Sequence, residues 1–353
     1  MTTAPPTARP SAESRRPSPA PRRGHDGEHR LSPSADYVEL TRRNRGFVPA
    51  RTQRRLAEAV VLVAGCGSTG GAVIEPLARL GVQHLVLADN GSYELNNLNR
   101  QHAVRGDLGR NKAVVGAERV LAINPAAAVA VHERGITRTG VTALVEGCDV
   151  VIDGVDVTER AGWLAKYALH EAAARLGRPV VSGYDMAGTQ YVRVYDYAPG
   201  DAPFDGRLTR AQVQHEHTWT LLRRIVPLRT VPVEMFVSAR ASLADPDAPL
   251  SQLVYTSLLF GALASRIVVD LLAGERVRRH TVIDAHQAVR TAGRRMSAQW
   301  GRPVQALLAL RDLARSQRSV PPPAPASPPA PASPPASLAR AAQAAPSTTG
   351  AAR

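Results

Sequence analysis

Residues 59–70 read AVVLVAGCGSTG, a run of six apolar residues that ends in a glycine-rich loop. The apolar run predicts a strand that is buried on both faces, as strands of parallel sheets are. In the loop, Gly65 permits a tight turn, Gly67 lets backbone N–H groups approach a phosphate, and Gly70 lets a helix pack close to the sheet. Residues 71–80 continue as that helix, whose N-terminus adds partial positive charge. The stretch therefore predicts a strand–loop–helix unit that binds a nucleotide.

Further apolar runs alternate with helical patterns along the chain. The other predicted strands cover residues 84–88, 128–131, 149–152 and 179–182, and the predicted helices cover residues 112–124 and 161–176. Strands separated by helices in this rhythm predict a Rossmann-like, doubly wound α/β fold, with a mostly parallel sheet and helices on both faces. Residues 191–197 alternate apolar and polar side chains, which predicts an antiparallel extension. Residues 281–284 predict a late edge strand.

The two ends of the chain differ in composition from its centre. Residues 1–34 are rich in Pro, Ala, Ser and Arg, and residues 319–353 repeat Pro, Ala and Ser, so we expect both to be disordered tails. Residues 35–318 are expected to form the folded domain. Within it, we expect a nucleotide-binding core at about 55–200 and an extension of helices and strands at about 201–318.

The net charge of the chain is +14, and 42 of its 44 basic residues are Arg. The two tails hold five units of that charge, and aromatic residues, which stack on nucleic-acid bases, make up only 4 % of the chain. Binding to nucleic acid is therefore a minor hypothesis. The apolar segment 253–274 contains Arg266 and Asp270, which would face each other at i,i+4 on a helix. This favours a buried amphipathic helix over a membrane span.

The chain has two cysteines, Cys66 and Cys148, too few for a disulfide scaffold or a four-thiolate zinc site. Both are expected to be small buried residues. His215 and His217 would point apart on a strand or a helix, so we do not expect them to share a metal. No signal peptide is visible, and we expect a cytoplasmic protein that does not contact a membrane.

Polar residues follow the predicted strands where a bound nucleotide would lie. Asp89, nineteen residues after Gly70, ends the second strand, where a carboxylate can accept hydrogen bonds from ribose hydroxyls. Asn97-Leu98-Asn99-Arg100-Gln101 follows in the next loop, and Gly109-Arg110-Asn111-Lys112 opens the next helix. A glycine loop alone indicates NAD. An Arg and a Lys beside it favour a triphosphate, because a dinucleotide has only one pyrophosphate to neutralise.

Two carboxylates, Asp153 and Asp156, lie where the predicted strand 149–152 ends, over the same crevice. Acidic groups there can hold Mg²⁺ against phosphates. Each could instead cap the following helix, and Arg100 or Lys112 could be a solvated surface cation. The order and spacing of these residues together favour the nucleotide site.

These residues resemble the ThiF/MoeB/HesA superfamily, the bacterial relatives of ubiquitin-activating enzymes. The resemblance rests on the glycine loop, Asp89, the Asn-Leu-x-Arg-Gln element, Gly109 with Lys112, Asn124-Pro125, Asp153-Gly154-Val155-Asp156, and Arg43-Asn44 with Gly46-Phe47. It implies a ThiF-type adenylyltransferase that binds Mg·ATP. In such an enzyme the C-terminal carboxylate of a ubiquitin-like or sulfur-carrier protein, or of a peptide, attacks the α-phosphate. The products are an acyl-adenylate and pyrophosphate.

The resemblance also implies roles for single residues. Arg100 and Lys112 would neutralise the triphosphate, and Asp156 would bind Mg²⁺. Arg45, or less favourably Arg43, would reach ATP from a neighbouring protomer, which implies a homodimer. Asp89 would hold the ribose, whereas Asn97 and Gln101 would shape their loop and contact phosphates. The full implied ATP-binding set is Gly65, Gly67, Gly70, Asp89, Asn97, Arg100, Gln101 and Lys112.

Several departures from the family pattern change the expected chemistry. The chain has no Cys-x-x-Cys pair for the family's structural zinc, and no cysteine after residue 180 to form a thioester. The adenylate is therefore expected to pass to an external nucleophile. Gly91 stands two residues after Asp89, where the family frequently has a carboxylate, and Val157 stands directly after Asp156, where the family has an Asn. Two alternatives stay open: a non-catalytic nucleotide-binding or leader-peptide-binding module, and a dehydratase-like enzyme that acts on tRNA, which the basic charge would suit.

Overall fold

Seven strands form a single mixed sheet in the computed structural model, which describes residues 34–245 and 250–319. The strands are β1 (Val60–Ala64), β2 (His84–Ala88), β3 (Ala128–His132), β4 (Val150–Asp153), β5 (Val180–Met186), β6 (Thr189–Tyr195) and β7 (His280–Asp284). Apart from Ser34 and Ser319, the two predicted tails lie outside the described residues.

Twelve α-helices accompany the sheet in the described ranges. They are α1 (Ala35–Leu40), α2 (Ala50–Glu58), α3 (Ser68–Leu80), α4 (Lys112–Ile123), α5 (Val141–Glu146), α6 (Arg160–Leu176), α7 (Arg210–His215), α8 (Thr218–Ile225), α9 (Val233–Ala244), α10 (Val254–Ala273), α11 (Ala285–Val289) and α12 (Ala292–Ser319).

The strand order is β3-β2-β1-β4-β5-β6-β7, in which the first five strands are parallel. β6 pairs antiparallel with β5, and β7 pairs antiparallel with β6 at the sheet edge. The chain leaves β1 towards β2 but leaves β4 towards β5, so the topology switches between β1 and β4. Open α/β sheets bind ligands in the crevice beyond such a switch point. The predicted doubly wound fold and its antiparallel extension are confirmed.

The core lies on both faces of the sheet because the central strands are buried throughout. On β1, Leu62 packs into the cluster that contains helices α5 and α6, whereas Val61 and Val63 pack into the cluster that contains α3, α4 and α10. Full burial of each such side chain stabilises the fold by about 1.5–3 kcal/mol. The apolar run that predicts this strand is thus continuous because both of its faces are covered.

Helix α10 is the predicted amphipathic helix of the segment 253–274. It packs on α3 so closely that a Cβ at Gly261 would lie 2.3 Å from the carbonyl oxygen of Ala72. Arg266 and Asp270 form the expected i,i+4 ion pair at 2.7 Å on its exposed side. Of the described helices, α10 alone has the length and apolarity of a membrane span, and half of its apolar window is buried inside the protein. This burial agrees with the predicted core helix.

The helices after residue 200 form the extension that the sequence predicts only in outline. The longest, α12, packs against α9, where Arg240 Nε donates to Asp312 Oδ2 at 2.7 Å and Arg240 Nη1 donates to Gln305 Oε1 at 2.9 Å. The sequence of α12 has no strong apolar periodicity, and its placement depends on these tertiary contacts.

We expect Gly70→Ala to destabilise the fold, because its Cβ would lie 1.9 Å from the carbonyl oxygen of Gly65. Helix α3 would have to move away from the sheet, at a cost of about 3 kcal/mol. Gly67→Ala is the matched control, since its Cβ would come no closer than 3.8 Å to another residue. The control should stay within about 0.5 kcal/mol of the wild-type unfolding free energy in urea. Equal losses in the two variants would contradict this packing argument.

Candidate functional site

A cleft of about 790 Å³ opens at the carboxyl ends of β1 and β4, at the topological switch point. One end of the cleft is polar and is formed by the glycine loop, the loops after β2, β3 and β4, and the carboxyl end of β5. The other end is lined by apolar side chains of α8, α9 and α12, including Trp219, Leu222, Met235, Phe236, Leu310 and Leu313. The cleft can therefore hold a polar ligand beside a less polar one.

The glycine loop is shaped by contact between the loops after β1 and β4. Gly65 has φ +82°, and a Cβ there would lie 2.5 Å from the carbonyl oxygen of Gly154. Gly154 in turn approaches Gly70, whose backbone N would lie 2.6 Å from a Cβ at residue 154. Gly67 has no such neighbour and lines the cleft. Its missing side chain therefore leaves the N-terminus of α3 open to a ligand, as predicted from the sequence.

Asp89 is fixed by backbone groups on both sides of its carboxylate. Its Oδ2 accepts from the Cys66 N–H at 2.5 Å, and its Oδ1 accepts from the Gly91 N–H at 2.6 Å. Each oxygen keeps a second lone pair, and the residue lines the cleft. A Cβ at Gly91 would lie 3.1 Å from Asp89 Oδ1 and 3.5 Å from Lys112 Nζ. The absence of a side chain at residue 91 thus keeps Asp89 and Lys112 accessible.

The loop after β2 brings the remaining predicted ligands of a phosphate to the cleft. The Asn97 side chain is buried, and its Oδ1 accepts from the Glu94 N–H at 3.2 Å, so Asn97 holds the loop in shape. Arg100 Nη1 donates to the Asn96 carbonyl oxygen and to Asn99 Oδ1, at 3.0 and 2.9 Å. The buried Arg100 Nε and Gln101 Oε1 have no hydrogen-bond partner, although both side chains line the cleft.

Arg100 interacts electrostatically with carboxylates from two other parts of the cleft. Burial lowers the pKa of Arg100, while the neighbouring carboxylates of Asp156 and Asp185 raise it. Lys112 begins α4 on the other side of the glycine loop, with its Nζ 5.8 Å from the centre of the Tyr93 ring. Arg100, Lys112 and Asp156 therefore line one cleft, as the sequence predicts.

The prediction that both Asp153 and Asp156 face the crevice is wrong for Asp153. Asp153 is the last residue of β4 and is fully buried, with Lys166 Nζ at 2.6 Å and His170 Nε2 at 2.9 Å from its Oδ2. Ser182 Oγ donates to the same oxygen at 2.7 Å. Burial alone would raise the pKa of Asp153, but the Lys166 ammonium holds it well below its usual value. Asp153 is therefore a buried structural anion between β4 and α6.

Asp156 is the carboxylate that does reach the cleft. Its side chain is exposed, and Oδ1 accepts from the Thr158 N–H at 2.8 Å, which fixes the loop as an Asx turn. In the family pattern an Asn follows this Asp, whereas this chain has Val157, which also lines the cleft. Asp156 therefore offers one oriented carboxylate beside the glycine loop.

Asp185 is a cleft residue that the sequence analysis missed. The predicted strand ends at residue 182, whereas β5 continues to Met186 and places Asp185 beside α3. Its Oδ2 accepts from Ser68 Oγ at 3.3 Å, and Ser68 Oγ lies 2.6 Å from Ser257 Oγ of α10. The signal was available in the sequence, since an acidic residue at the carboxyl end of a strand beside β4 must lie near the switch point.

Arg45 and Arg43 are both exposed and do not line the cleft of their own chain. The neighbouring Phe47 is 87 % exposed. This placement is compatible with a contribution to another protomer, which stays a prediction.

Both cysteines and His217 lie in structural positions. Cys66 and Cys148 are both buried, and burial raises the pKa of each thiol, that of Cys148 to about 12. His217 caps α8, with its Nδ1 accepting from the Trp219 N–H at 3.3 Å. Within 34–245 and 250–319, no three His, Cys, Asp or Glu side chains are grouped to hold a metal ion. The expectation that the protein has no structural zinc stays a prediction.

Residues 41–284 match the ThiF family over more than two thirds of the chain, and the protein belongs to that family. The resemblance seen in the glycine loop, the Asn-Leu-x-Arg-Gln element and the acidic loop is thus confirmed. The named relatives of this chain include an adenylyltransferase and sulfurtransferase and a sulfur carrier protein adenylyltransferase.

Three curated relatives illustrate the extent of the similarity. MOCS3 of Mus musculus, an adenylyltransferase and sulfurtransferase, is 34 % identical over 152 residues, which is 42 % of this chain and 32 % of that protein. The sulfur carrier protein adenylyltransferase of Thermus thermophilus is 31 % identical over 132 residues, 37 % of this chain and 47 % of that protein. The uncharacterized protein MT1398 of Mycobacterium tuberculosis is 36 % identical over 167 residues, 47 % of this chain and 22 % of that protein. This chain therefore spans less than half the length of each.

Solved structures share the fold. PaaA superimposes with a TM-score of 0.53 at 18 % identity, over 74 % of each chain. MccB of Escherichia coli, in its structure with succinimide, gives a TM-score of 0.53 at 18 % identity, over 71 % of this chain and 70 % of that chain. At this identity the likeness shows the Rossmann-like fold alone.

Substitution of each of the two lysines of the chain distinguishes the structural role of Asp153 from the cleft, which we expect to contribute little to stability. Lys166→Met leaves the Asp153 carboxylate buried without its cation, so we expect a loss of about 3–5 kcal/mol in the free energy of unfolding. Lys112→Met, the matched control, removes a cation at the cleft and should change that free energy by less than about 0.5 kcal/mol. Urea unfolding at pH 7 measures both, and similar losses would contradict the assignment.

The ion pair of Asp153 and Lys166 should also make the free energy of unfolding depend on pH, because the pKa of Asp153 is lowered. A lowered carboxyl pKa stabilises the folded state above the ordinary Asp value, and this stabilisation is lost as the pH falls. In Lys166→Met, Asp153 has no ammonium partner, so this stabilisation is absent. The difference in stability between wild type and Lys166→Met, measured by urea unfolding at several pH values, should therefore shrink on acidification.

Proposed function

We propose that this protein is an adenylyltransferase that activates a carboxylate with Mg·ATP and releases pyrophosphate. The observation that carries this proposal is the meeting of Arg100, Lys112 and Asp156 around the glycine loop in one cleft. Attack of a carboxylate anion on a polyanionic phosphate requires fixed positive charge, because the charges of the reactants repel each other. The named adenylyltransferase relatives support the same reaction.

The residues around the loop fit a nucleoside triphosphate. Gly67 leaves the N-terminus of α3 open for phosphate oxygens, and Asp89 offers lone pairs to the ribose. The unpartnered Arg100 Nε and Gln101 Oε1 are buried polar atoms that a bound polar ligand would satisfy. Lys112 faces the same space from α4. We propose these residues as the ATP site, with Asn97 as the residue that holds their loop.

We propose Asp156 as the carboxylate that holds Mg²⁺. Mg²⁺ is commonly bound by one or two carboxylates together with substrate phosphates, so a single oriented Asp suits it. A bound Mg²⁺ would neutralise phosphate charge at this edge of the cleft. Asp153 takes no part, because it is already satisfied by Lys166, His170 and Ser182.

The substrate we propose is a small protein or peptide with a free C-terminal carboxylate. A chain terminus can enter the cleft from its apolar end, where α8, α9 and α12 supply side chains such as Trp219 and Phe236. The T. thermophilus relative is named for activating a sulfur carrier protein. Residues 181–353 contain no cysteine, and Cys66 and Cys148 are buried, so we propose that the adenylate passes directly to an external acceptor.

Exchange of pyrophosphate into ATP tests this activity. We expect wild-type protein to show exchange that depends on an added carboxylate, such as a synthetic peptide ending in Gly-Gly. Asp156→Asn and Lys112→Met should each lower the exchange rate about 100-fold or more, because each removes charge that stabilises the transition state.

The control for that experiment is Asp196→Asn, which changes an exposed carboxylate just after β6 that does not line the cleft. It should exchange at the wild-type rate. Binding of ATP without exchange for any peptide, protein or tRNA carboxylate would indicate the non-catalytic module instead. Exchange that survives Asp156→Asn would count against the proposed mechanism.

Mixed oligomers test the proposed role of Arg45. If Arg45 acts on the ATP site of a partner, Arg45→Ala and Asp156→Asn should each lose exchange as separate proteins. Co-refolding of equal amounts of the two variants should restore up to about a quarter of the wild-type activity, since about half of the dimers are mixed and one of the two sites in each mixed dimer is intact. Arg43→Ala serves as the comparison. No recovery from the mixture, with dimers formed, would place the Arg45 role within its own chain or remove it.

A further inference from the structure

Asp185 lies in the cleft without a role in the activation of the carboxylate. It is near the carboxyl end of β5, next to β4 and beside the N-terminus of α3. Its Oδ2 accepts from Ser68 Oγ at 3.3 Å, whereas its Oδ1 is a buried atom with no hydrogen-bond partner. A carboxylate that served only the fold would be expected to have its buried oxygens satisfied. The open oxygen of Asp185 therefore fits a donor on a ligand.

The groups that face Asp185 come from three elements. Ser68 and Thr69 belong to α3, Ser257 belongs to α10, and Arg100 belongs to the loop after β2. Burial raises the pKa of Asp185 to about 6, although the three hydroxyl groups and the charge of Arg100 lower it. A carboxylate with a raised pKa takes up a proton more readily than a free Asp, and Asp185 lies where a ligand can reach it. Both properties are those of a general base.

We propose that Asp185 is a catalytic residue that accepts the proton of an amine when that amine takes the acyl group from the adenylate. This inference rests on the proposed adenylation and names the class of the second substrate. The acceptor is a primary amine, on a small molecule or on a peptide.

The step balances without a further reactant. The amine nitrogen attacks the carbonyl carbon of the acyl-adenylate, and a C–N bond forms. The bond between that carbon and the phosphate oxygen breaks, and AMP leaves with the electron pair. The proton lost by nitrogen passes to Oδ1 of Asp185, and the product is an amide.

The charge of Asp185 selects between nucleophiles. A buried carboxylate attracts an ammonium group to the cleft; the ammonium loses one proton to solvent, and the neutral amine then attacks and gives its second proton to Oδ1 of Asp185. A thiolate or hydrosulfide anion is repelled by the same carboxylate, and the described residues place no thiol of this chain in the cleft. The geometry therefore favours an amine over the sulfur acceptors that the names of several relatives suggest.

The experiment compares wild type with Asp185→Asn and Asp196→Asn, all as full-length chains. Each protein receives ATP, Mg²⁺ and a synthetic peptide ending in Gly-Gly, followed by glycinamide or sodium hydrosulfide. AMP release and the mass of the peptide product are measured beside pyrophosphate exchange. We expect glycinamide to form the peptide amide in wild type and in Asp196→Asn. Asp185→Asn should lose this reaction about 100-fold but keep exchange within about threefold.

Several results would overturn the inference while leaving adenylation intact. Hydrosulfide that reacts faster than glycinamide in wild type would show a sulfur acceptor, and unchanged amide formation by Asp185→Asn would remove the residue from this step. Equal loss of exchange and amide formation in Asp185→Asn would assign Asp185 to the ATP reaction instead. Absence of exchange in wild type would count against the proposed function itself.

A binding measurement tests the same role of Asp185 without turnover. Calorimetric titration of glycinamide into the ATP-loaded protein should show binding to wild type and to Asp196→Asn. Asp185→Asn should bind it about tenfold more weakly or not at all, since the carboxylate charge is gone. Wild type that does not bind glycinamide, or equal affinity in all three proteins, would contradict the assignment.

Discussion

The close contact between the loops after β1 and β4 is the constraint on which the cleft depends. The backbone segments at Gly65, Gly70 and Gly154 are so close together that a side chain at any of them would clash. A Cβ at Gly70 would lie only 1.9 Å from the carbonyl oxygen of Gly65. This contact joins the start of α3 to the end of β4. Because Asp156 follows β4 by only three residues, it must lie beside the glycine loop. The geometry of the site is therefore a consequence of backbone packing, and the charged side chains are added to it.

Most of the strands can be predicted because a strand that is buried on both faces appears in the sequence as a continuous apolar run. The strand 84–88 has its predicted bounds, whereas β5 extends four residues beyond the prediction, through Gly183 to Met186. All four residues line the cleft, and Gly183 and Asp185 interrupt the apolar pattern, whereas Tyr184 and Met186 also pack in the core. The polar residue that makes this part of β5 hard to recognise as a strand, Asp185, is also one that lines the cleft. α12 escapes prediction for a different reason, since contacts such as that of Arg240 with Asp312 hold it.

The error at Asp153 shows where spacing alone is insufficient. Asp153 and Asp156 are three residues apart at the end of one strand, and either could face the crevice. The side chain of Asp153 is the last of β4 and points into the layer beneath α6, where it meets Lys166 and His170. Those partners lie 13 and 17 residues away along the chain. A lysine and a histidine on an otherwise apolar helix face are the signal for a buried anion, and burial lowers the pKa of that His170.

The cleft combines features that follow the family with features that do not. Its glycine loop, Arg100, Lys112 and Asp156 match the family motif, and we propose them as the groups that activate a carboxylate. The groups available for the transfer step are different, because residues 181–353 contain no cysteine that could take the acyl group, and Asp185 presents an open oxygen that we propose as the proton acceptor for an external amine. A negative charge repels a sulfur anion and attracts an ammonium group. In the reaction we propose, the carboxylate at the end of β5 would therefore direct the adenylate to an amine rather than to a sulfur nucleophile.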